Sequence, residues 1–458
     1  MRKDSAIVGL IVIYVMVLCA SATREYFNED DISNMYFSWI GSWPSFVGSI
    51  LSVWHDYGRP VGMLYFGIMH RLFGFNVLPF RIGSLAVCAA NLVLLNAVLG
   101  RLLSEDRARY LALLFGGFHG ALWSIYASAG TIFDTLCQTF VLAGLRYYIL
   151  VEAEPLRFRQ LFFLAGWTAL AIGAKEVGVA LPLILAAYSA VHMFRNPGHE
   201  FTKAHLFRII TSLAVAVVAA AGSFAENPIA KMDAYRPTFT MARFLETLKA
   251  HSEMFLFRTM KEPALVWVMV LLGLLAVAVL LRSRTAIFGW LFYNAATLPL
   301  AFSTPRHDGY VLYVAIAGSA IYLGGVLQTV WDRVGIRMPA ISSTIASAAV
   351  AAIVVGMQLA ERTHIVRKKF GPGGQLEVQE LVEDVRRQRP RLAPGSKVVF
   401  VNSVLDHSQP MMILHLAYDD RSLDIQELTV SKGTPLPGPG QNADVVFERT
   451  DGHYVERR

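Results

Sequence analysis

The sequence predicts an all-α polytopic membrane protein of about eleven transmembrane helices, closed by a small extracytoplasmic α/β domain. Three observations carry that prediction. Of the 458 residues, 55% are apolar and only 16% charged, more apolar surface than a soluble core of that size requires. The apolar residues gather into runs long enough to cross ~30 Å of hydrocarbon. Basic short loops also alternate with short loops almost empty of charge.

The runs lie near residues 5–22, 79–100, 108–126, 131–150, 161–174, 177–194, 207–225, 263–281, 285–302, 309–330 and 338–357. With the N-terminus in the cytoplasm, the inner loops hold Arg2 and Lys3, then Arg101, Arg107 and Arg109, then Arg157 and Arg159, and later Arg282, Arg284, Arg333 and Arg337. Short loops of the other parity hold Lys175 alone or Arg306 alone, the asymmetry that orients membrane spans. An odd number of spans then puts the C-terminus outside, as expected for a multi-pass protein of a bacterial plasma membrane. Residues 1–22 also carry the parts of a secretory signal, ending in Ala20-Ser21-Ala22. They are expected to be retained as the first span, because cleavage would leave the acidic residues that follow at a loose end.

Residues 1–357 are read as the transmembrane module, with longer outer loops at 23–78 and 226–262. Residues 358–458 turn polar. They contain a helix-like LEVQELVEDVRRQ, a strand-like KVVFVN and a Pro/Gly stretch GTPLPGPG, which together read as an α/β domain.

Several function classes fall away. The net charge of +7 is modest and scattered in span-flanking clusters, so no nucleic-acid footprint emerges. Cys19, Cys88 and Cys137 each lie within an apolar run, without metal-ligand spacing. Walker, GxGxxG, HExxH and GxSxG motifs are absent from the sequence.

Ionisable residues at membrane depth are costly, and here they collect on the outer side. Glu29, Asp30 and Asp31 follow the first span; Asp30 or Asp31 is a candidate general base, since a carboxylate beside an apolar boundary can have a raised pKa. Equally, Asp31 is a candidate N-cap for ISNMYFSWI. Arg59, Lys175, Arg306 and His307 are candidate phosphate donors, able to stabilise charge on a leaving group. Asp134, Glu176, His55 and Asp56 are candidate substrate-orienting groups. Neighbours on a helix do not face each other, so Lys175 and Glu176 should find separate partners. Trp39, Trp43 and Trp54, with Phe37 and Phe46, are read as interfacial aromatics. One acidic loop pair without a dense ligand cluster argues for no obligatory metal, with a divalent ion left open.

Three stretches bear a family likeness. YFNEDDI, RPVGMLYFGIMHRLFGFNVLPFRIGSL and AIGAKEVGVALPLILAAY follow one another in the order found in the GT-C superfamily of membrane glycosyltransferases, and PRHDGYVLYVAIAGSAIYLG is a weaker fourth. The chain resembles the branch that contains protein O-mannosyltransferases, over about residues 5–330. Ala174 stands where that family usually has serine, and Asp30-Asp31 replaces its commoner Asp-Glu. The resemblance implies inverting transfer of a sugar from a polyprenyl-phosphate donor to an acceptor hydroxyl on protein, glycan or lipid, at the outer face. It assigns the base to Asp30 or Asp31, the departing lipid phosphate to Arg59, Lys175 and Arg306 or His307, and orientation to Asp134 and Glu176. A transporter or lipid flippase is the main alternative, but it predicts paired halves and midplane charges that the sequence lacks. A non-catalytic scaffold and a lipid-linked oligosaccharide ligase or polymerase are further alternatives.

Overall fold

The structure, a computed structural model, describes residues 2–457 except 41, 43, 45–47, 49–58, 194–202, 227–236, 258–261, 306–308, 336–339, 369–373, 406–407 and 431–441. His55, Asp56, Arg306 and His307 of the predicted site therefore lie outside the described residues, as do Trp43, Phe46, Trp54 and the stretch GTPLPGPG.

Helices account for nearly all of the first 368 residues described: α1 (Arg2–Cys19), α2 (Glu29–Ile40), α3 (Pro60–Phe73), α4 (Val77–Leu102), α5 (Asp106–Gly117), α6 (Trp123–Ala127), α7 (Ile132–Val151), α8 (Phe158–Ala174), α9 (Leu181–Met193), α10 (Lys203–Glu226), α11 (Met241–Phe255), α12 (Ala264–Leu280), α13 (Arg284–Thr297), α14 (Tyr313–Gly335) and α15 (Ala340–Lys368). Over its described residues, each apolar run noted in the sequence falls largely on one of these helices or on a helix pair. Among the described residues four segments are by themselves long and apolar enough to cross a membrane: Asp4–Arg24, Val77–Leu102, Gly309–Arg333 and Ser343–Arg367. A fifth is the bent pair α5–α6, which turns by 48° at Phe118 and His119. Backbone groups cannot be left unpaired in lipid, which is why the described apolar runs are mostly helical.

The bundle is knit by neighbouring helices, α13 on α14, α7 on α8 and on α4, and α14 on α5. Glycine permits the closest of these approaches: a Cβ at Gly289 would lie 2.2 Å from the Tyr322 amide nitrogen, and one at Gly318 2.6 Å from that of Tyr293. Helix α15 does not end at residue 357, where polarity rises in the sequence, but continues to Lys368. Its polar residues are used inside the fold. Gln358 donates to the carbonyls of Leu114 and Phe118, and Arg362 donates to Leu18 O at 2.7 Å while lying 5.1 Å over the Trp123 ring.

The C-terminal domain comprises α16 (Gln375–Gln388), β1 (Lys397–Val401), α17 (Gln409–Tyr418), β2 (Asp424–Leu428), β3 (Val445–Thr450) and β4 (His453–Glu456). The sheet order is β2-β1-β3-β4, parallel across β2-β1-β3 and antiparallel at β4. Central β1 is buried on both faces, which explains its unbroken VVFV. One apolar core runs without interruption from Phe80 and Phe133 through Phe27, Ile32 and Met35 to Leu381, Phe400 and Ile413. The domain thus shares its core with α2, the helix that bears the acidic cluster.

Candidate active site

Asn28 opens the acidic helix. Its Oδ1 accepts from the Asp31 amide at 2.8 Å while Asp31 Oδ2 accepts from the Asn28 amide at 3.3 Å, a reciprocal cap. The N-cap is therefore Asn28 and not Asp31, which sits one turn in.

Asp31 is fully buried and fully engaged. Oδ2 also accepts from Arg81 Nη2 at 3.0 Å, and Oδ1 accepts from Ser128 Oγ at 3.0 Å and from the Gly130 amide. Four donors leave this carboxylate no lone pair for a substrate proton. Arg81, also without exposure, spends Nε on Glu25 O and a further bond on Tyr26 O, so it staples the end of the first span to α4. Asp30, by contrast, is exposed, with its Cβ beside the Gly130 turn. A Cβ at Gly130 would come within 3.2 Å of Asp31 Oδ1, so glycine allows the turn before α7 to lie against the acidic helix.

That turn leads into Phe133 and Asp134. Asp134 accepts from Lys175 Nζ at 2.9 Å, with both side chains nearly enclosed, and the ammonium lies 4.7 Å from the Tyr310 ring centroid. Glu176 takes the other cation, accepting from Arg59 Nε at 3.0 Å and Nη2 at 2.7 Å in a two-pronged pair that remains open to solvent. Arg59 also lies 5.6 Å over the Phe133 ring. Lys175 and Glu176 thus do face different partners, 41 and 117 positions away.

The structure brings Asp30, Asp31, Asp134, Lys175, Glu176 and Arg59 into one contiguous group around Gly130 and Phe133. It adds Asn28, Arg81, Ser128 and Tyr310, which sequence reading gave no role. Arg81 had a signal, being an arginine within an apolar run. The aromatic expectation needs correction at Trp39. Its Nε1 donates to Asp419 Oδ1 at 3.1 Å and Arg421 lies 4.3 Å over its ring, so it meets the C-terminal domain. Among the described residues no three His, Cys, Asp or Glu side chains converge as a metal cage would require.

No family model and no curated protein matches the chain. Solved structures do. The chain is similar to ArnT from Cupriavidus metallidurans in the apo state, at TM-score 0.52 and 14% identity over 94% of this chain and 87% of that one. It is similar to the same protein bound to undecaprenyl phosphate, at TM-score 0.53 and 15% identity over 93% and 86%. It also matches the Archaeoglobus fulgidus oligosaccharyltransferase tethered with an acceptor peptide, at TM-score 0.50 and 12% identity, over 91% of this chain and 63% of that one. At such identities the likeness concerns architecture, and it covers more than nine-tenths of the chain. The chain has the GT-C fold.

Proposed function

We propose that this protein is a membrane glycosyltransferase that moves a sugar from a polyprenyl-phosphate donor to an acceptor hydroxyl, with inversion. The observation that carries the reading is the cluster itself: an exposed carboxylate beside a buried cation–carboxylate network, at one end of a bundle whose fold is that of ArnT bound to undecaprenyl phosphate. In this reading all eleven apolar segments span the membrane, the N-terminus is cytoplasmic, and the cluster and C-terminal domain lie outside.

Asp30 takes the acceptor proton as the hydroxyl oxygen attacks the anomeric carbon. Asp31, its lone pairs occupied, positions that helix instead. As the bond from C1 to the phosphate oxygen breaks, its electron pair leaves with the lipid phosphate. Lys175 and Arg59 supply the positive charge where that negative charge grows. Asp134 and Glu176 hold those cations in place beforehand, so little reorganisation is needed during the step. Arg306, His307, His55 and Asp56 remain candidates for further contacts. No obligatory metal is invoked.

The test is transfer of labelled sugar from a polyprenyl-phosphate donor panel by purified protein in lipid, comparing wild type with Asp30→Asn. Transfer lost in a folded variant supports Asp30 as base. Absence of transfer from every donor overturns the reading.

A further inference from the structure

A second polar site lies at the opposite end of the bundle. Arg81 is near the start of α4 and Arg101 near its end, so 20 residues at 1.5 Å each set them about 30 Å apart. There a cavity of about 580 Å³ opens between the ends of α4, α9, α13 and α14, and Arg101, Arg282 and Arg284 line it. Among the described residues its lining contains no carboxylate.

The walls are cross-tied. Ser283 Oγ donates to Gly325 O at 2.8 Å, Thr285 Oγ1 to Leu102 O at 3.2 Å, and Gln328 Oε1 accepts from the Ser104 amide at 2.8 Å. Thr285 belongs to the first turn of α13, where Ser283 Oγ caps the Ala286 amide and the helix dipole favours an anion.

Arg282 is placed there against backbone preference. Helix α12 ends in a Schellman turn, in which the Ser283 amide donates to Ala278 O at 2.9 Å and the Arg282 amide to Val279 O at 2.8 Å. Arg282 occupies its left-handed position, at φ 53°. Glycine is the residue that position favours, because a side chain there crowds the following carbonyl. From this station Arg282 lines the cavity together with Arg101 and Arg284.

We propose that this cavity binds a phosphate-bearing anion, the headgroup of an anionic phospholipid in the leaflet opposite the acidic cluster. Arginine forks match phosphate oxygens in pairs, and the half-buried Leu102 lies beside them, with the buried Leu103 and Phe288 in the same wall. The inference stands apart from the transfer reaction, because it concerns other residues and a binding readout.

The test is native mass spectrometry of the full chain released from nanodiscs, counting retained phosphatidylglycerol against phosphatidylcholine, with and without inorganic phosphate. Wild type is expected to retain phosphatidylglycerol selectively, and Arg101→Gln with Arg284→Gln to reduce retention about tenfold, as expected for losing charge-assisted hydrogen bonds. Arg282→Gly is the decisive variant. It should melt at or above the wild-type temperature while losing lipid. Arg107→Gln, whose arginine is bonded to Ser343 and Glu105 outside the cavity, should retain it. Selective binding of inorganic phosphate that displaces the lipid assigns the same phosphate site to a soluble source. Equal retention of both lipids without phosphate binding, or equal loss in Arg107→Gln, overturns the proposal.

Discussion

Arg81 Nη2 donates to Asp31 Oδ2 across 3.0 Å with both side chains wholly enclosed, although fifty positions separate them in the chain. A buried pair of this kind is worth little against a well-packed apolar substitute, yet removing one partner strands a charge and costs about 3–5 kcal/mol. Arg81→Met and Asp31→Asn should therefore each lower stability by about that amount, and Arg81→Met with Asp31→Leu by less than the sum. Unfolding midpoints of the purified protein in lipid test this. Additive single losses below about 1 kcal/mol would show the pair to be incidental.

The same pair marks the limit of what could be read from sequence. Apolar runs betray the long helices directly, because lipid demands continuous apolar helices, whereas only four segments and one bent pair among the described residues are long and apolar enough to span. The C-terminal helix and first strand were visible through local periodicity, whereas the parallel sheet order, with β1 between β2 and β3, depends on pairings that no local pattern encodes. At the site, residue types at the helix ends named Asp30, Lys175 and Glu176, but not who meets whom. Asp31 was indistinguishable from Asp30 until the fold buried one among four donors and kept the other at the surface.

Lys175 offers the sharpest test of the charge-stabilising role. It lies against Asp134 at 2.9 Å and under Tyr310, so its ammonium is fixed before any substrate arrives. Lys175→Met should reduce transfer by about 10²-fold with a smaller change in donor KM, as for loss of one preorganised transition-state donor. Asp134→Asn, which keeps the cation but loosens it, should cost less. A Lys175→Met enzyme with wild-type kcat would remove Lys175 from the phosphate end of the reaction.

His70 predicts a pH dependence of stability. It is buried on α3 with its ring 5.9 Å from Trp39. Burial lowers its pKa; Asp419 pulls the other way and Arg71 adds to the lowering. The unfolded chain therefore takes up this proton at a higher pH than the folded protein. The contribution is complete above the unfolded value of about 6.5 and is lost as pH falls below it. The melting temperature should drop on acidification from about pH 7.5 to 5.5, and His70→Leu should flatten that slope. An unchanged slope in His70→Leu would trace the acid sensitivity to another group.

The docking of the C-terminal domain on α2 makes the last prediction, because it ties a distant segment to the helix that carries Asp30. His415 Nε2 donates to Leu423 O at 2.9 Å, which leaves Nδ1 to accept from Tyr36 OH at 3.3 Å, and the two rings stack at 5.8 Å. Three residues on, Trp39 is held by Asp419 and Arg421, and Gln409 donates to Ser33 at 3.1 Å. Contacts spread along successive turns of one short helix fix its rotation about its own axis, and that rotation decides where Asp30 points. Arg421→Ala should remove about 1–2 kcal/mol of cation–π and hydrogen-bond stabilisation. Amide exchange of α2 should quicken accordingly, and transfer should fall although Arg421 lies far from the reacting groups. Trp39→Phe, which keeps a ring beneath the guanidinium and loses only the bond to Asp419, should show a weaker form of both effects. Faster exchange with undiminished transfer would mean that the domain stabilises α2 without aiming it.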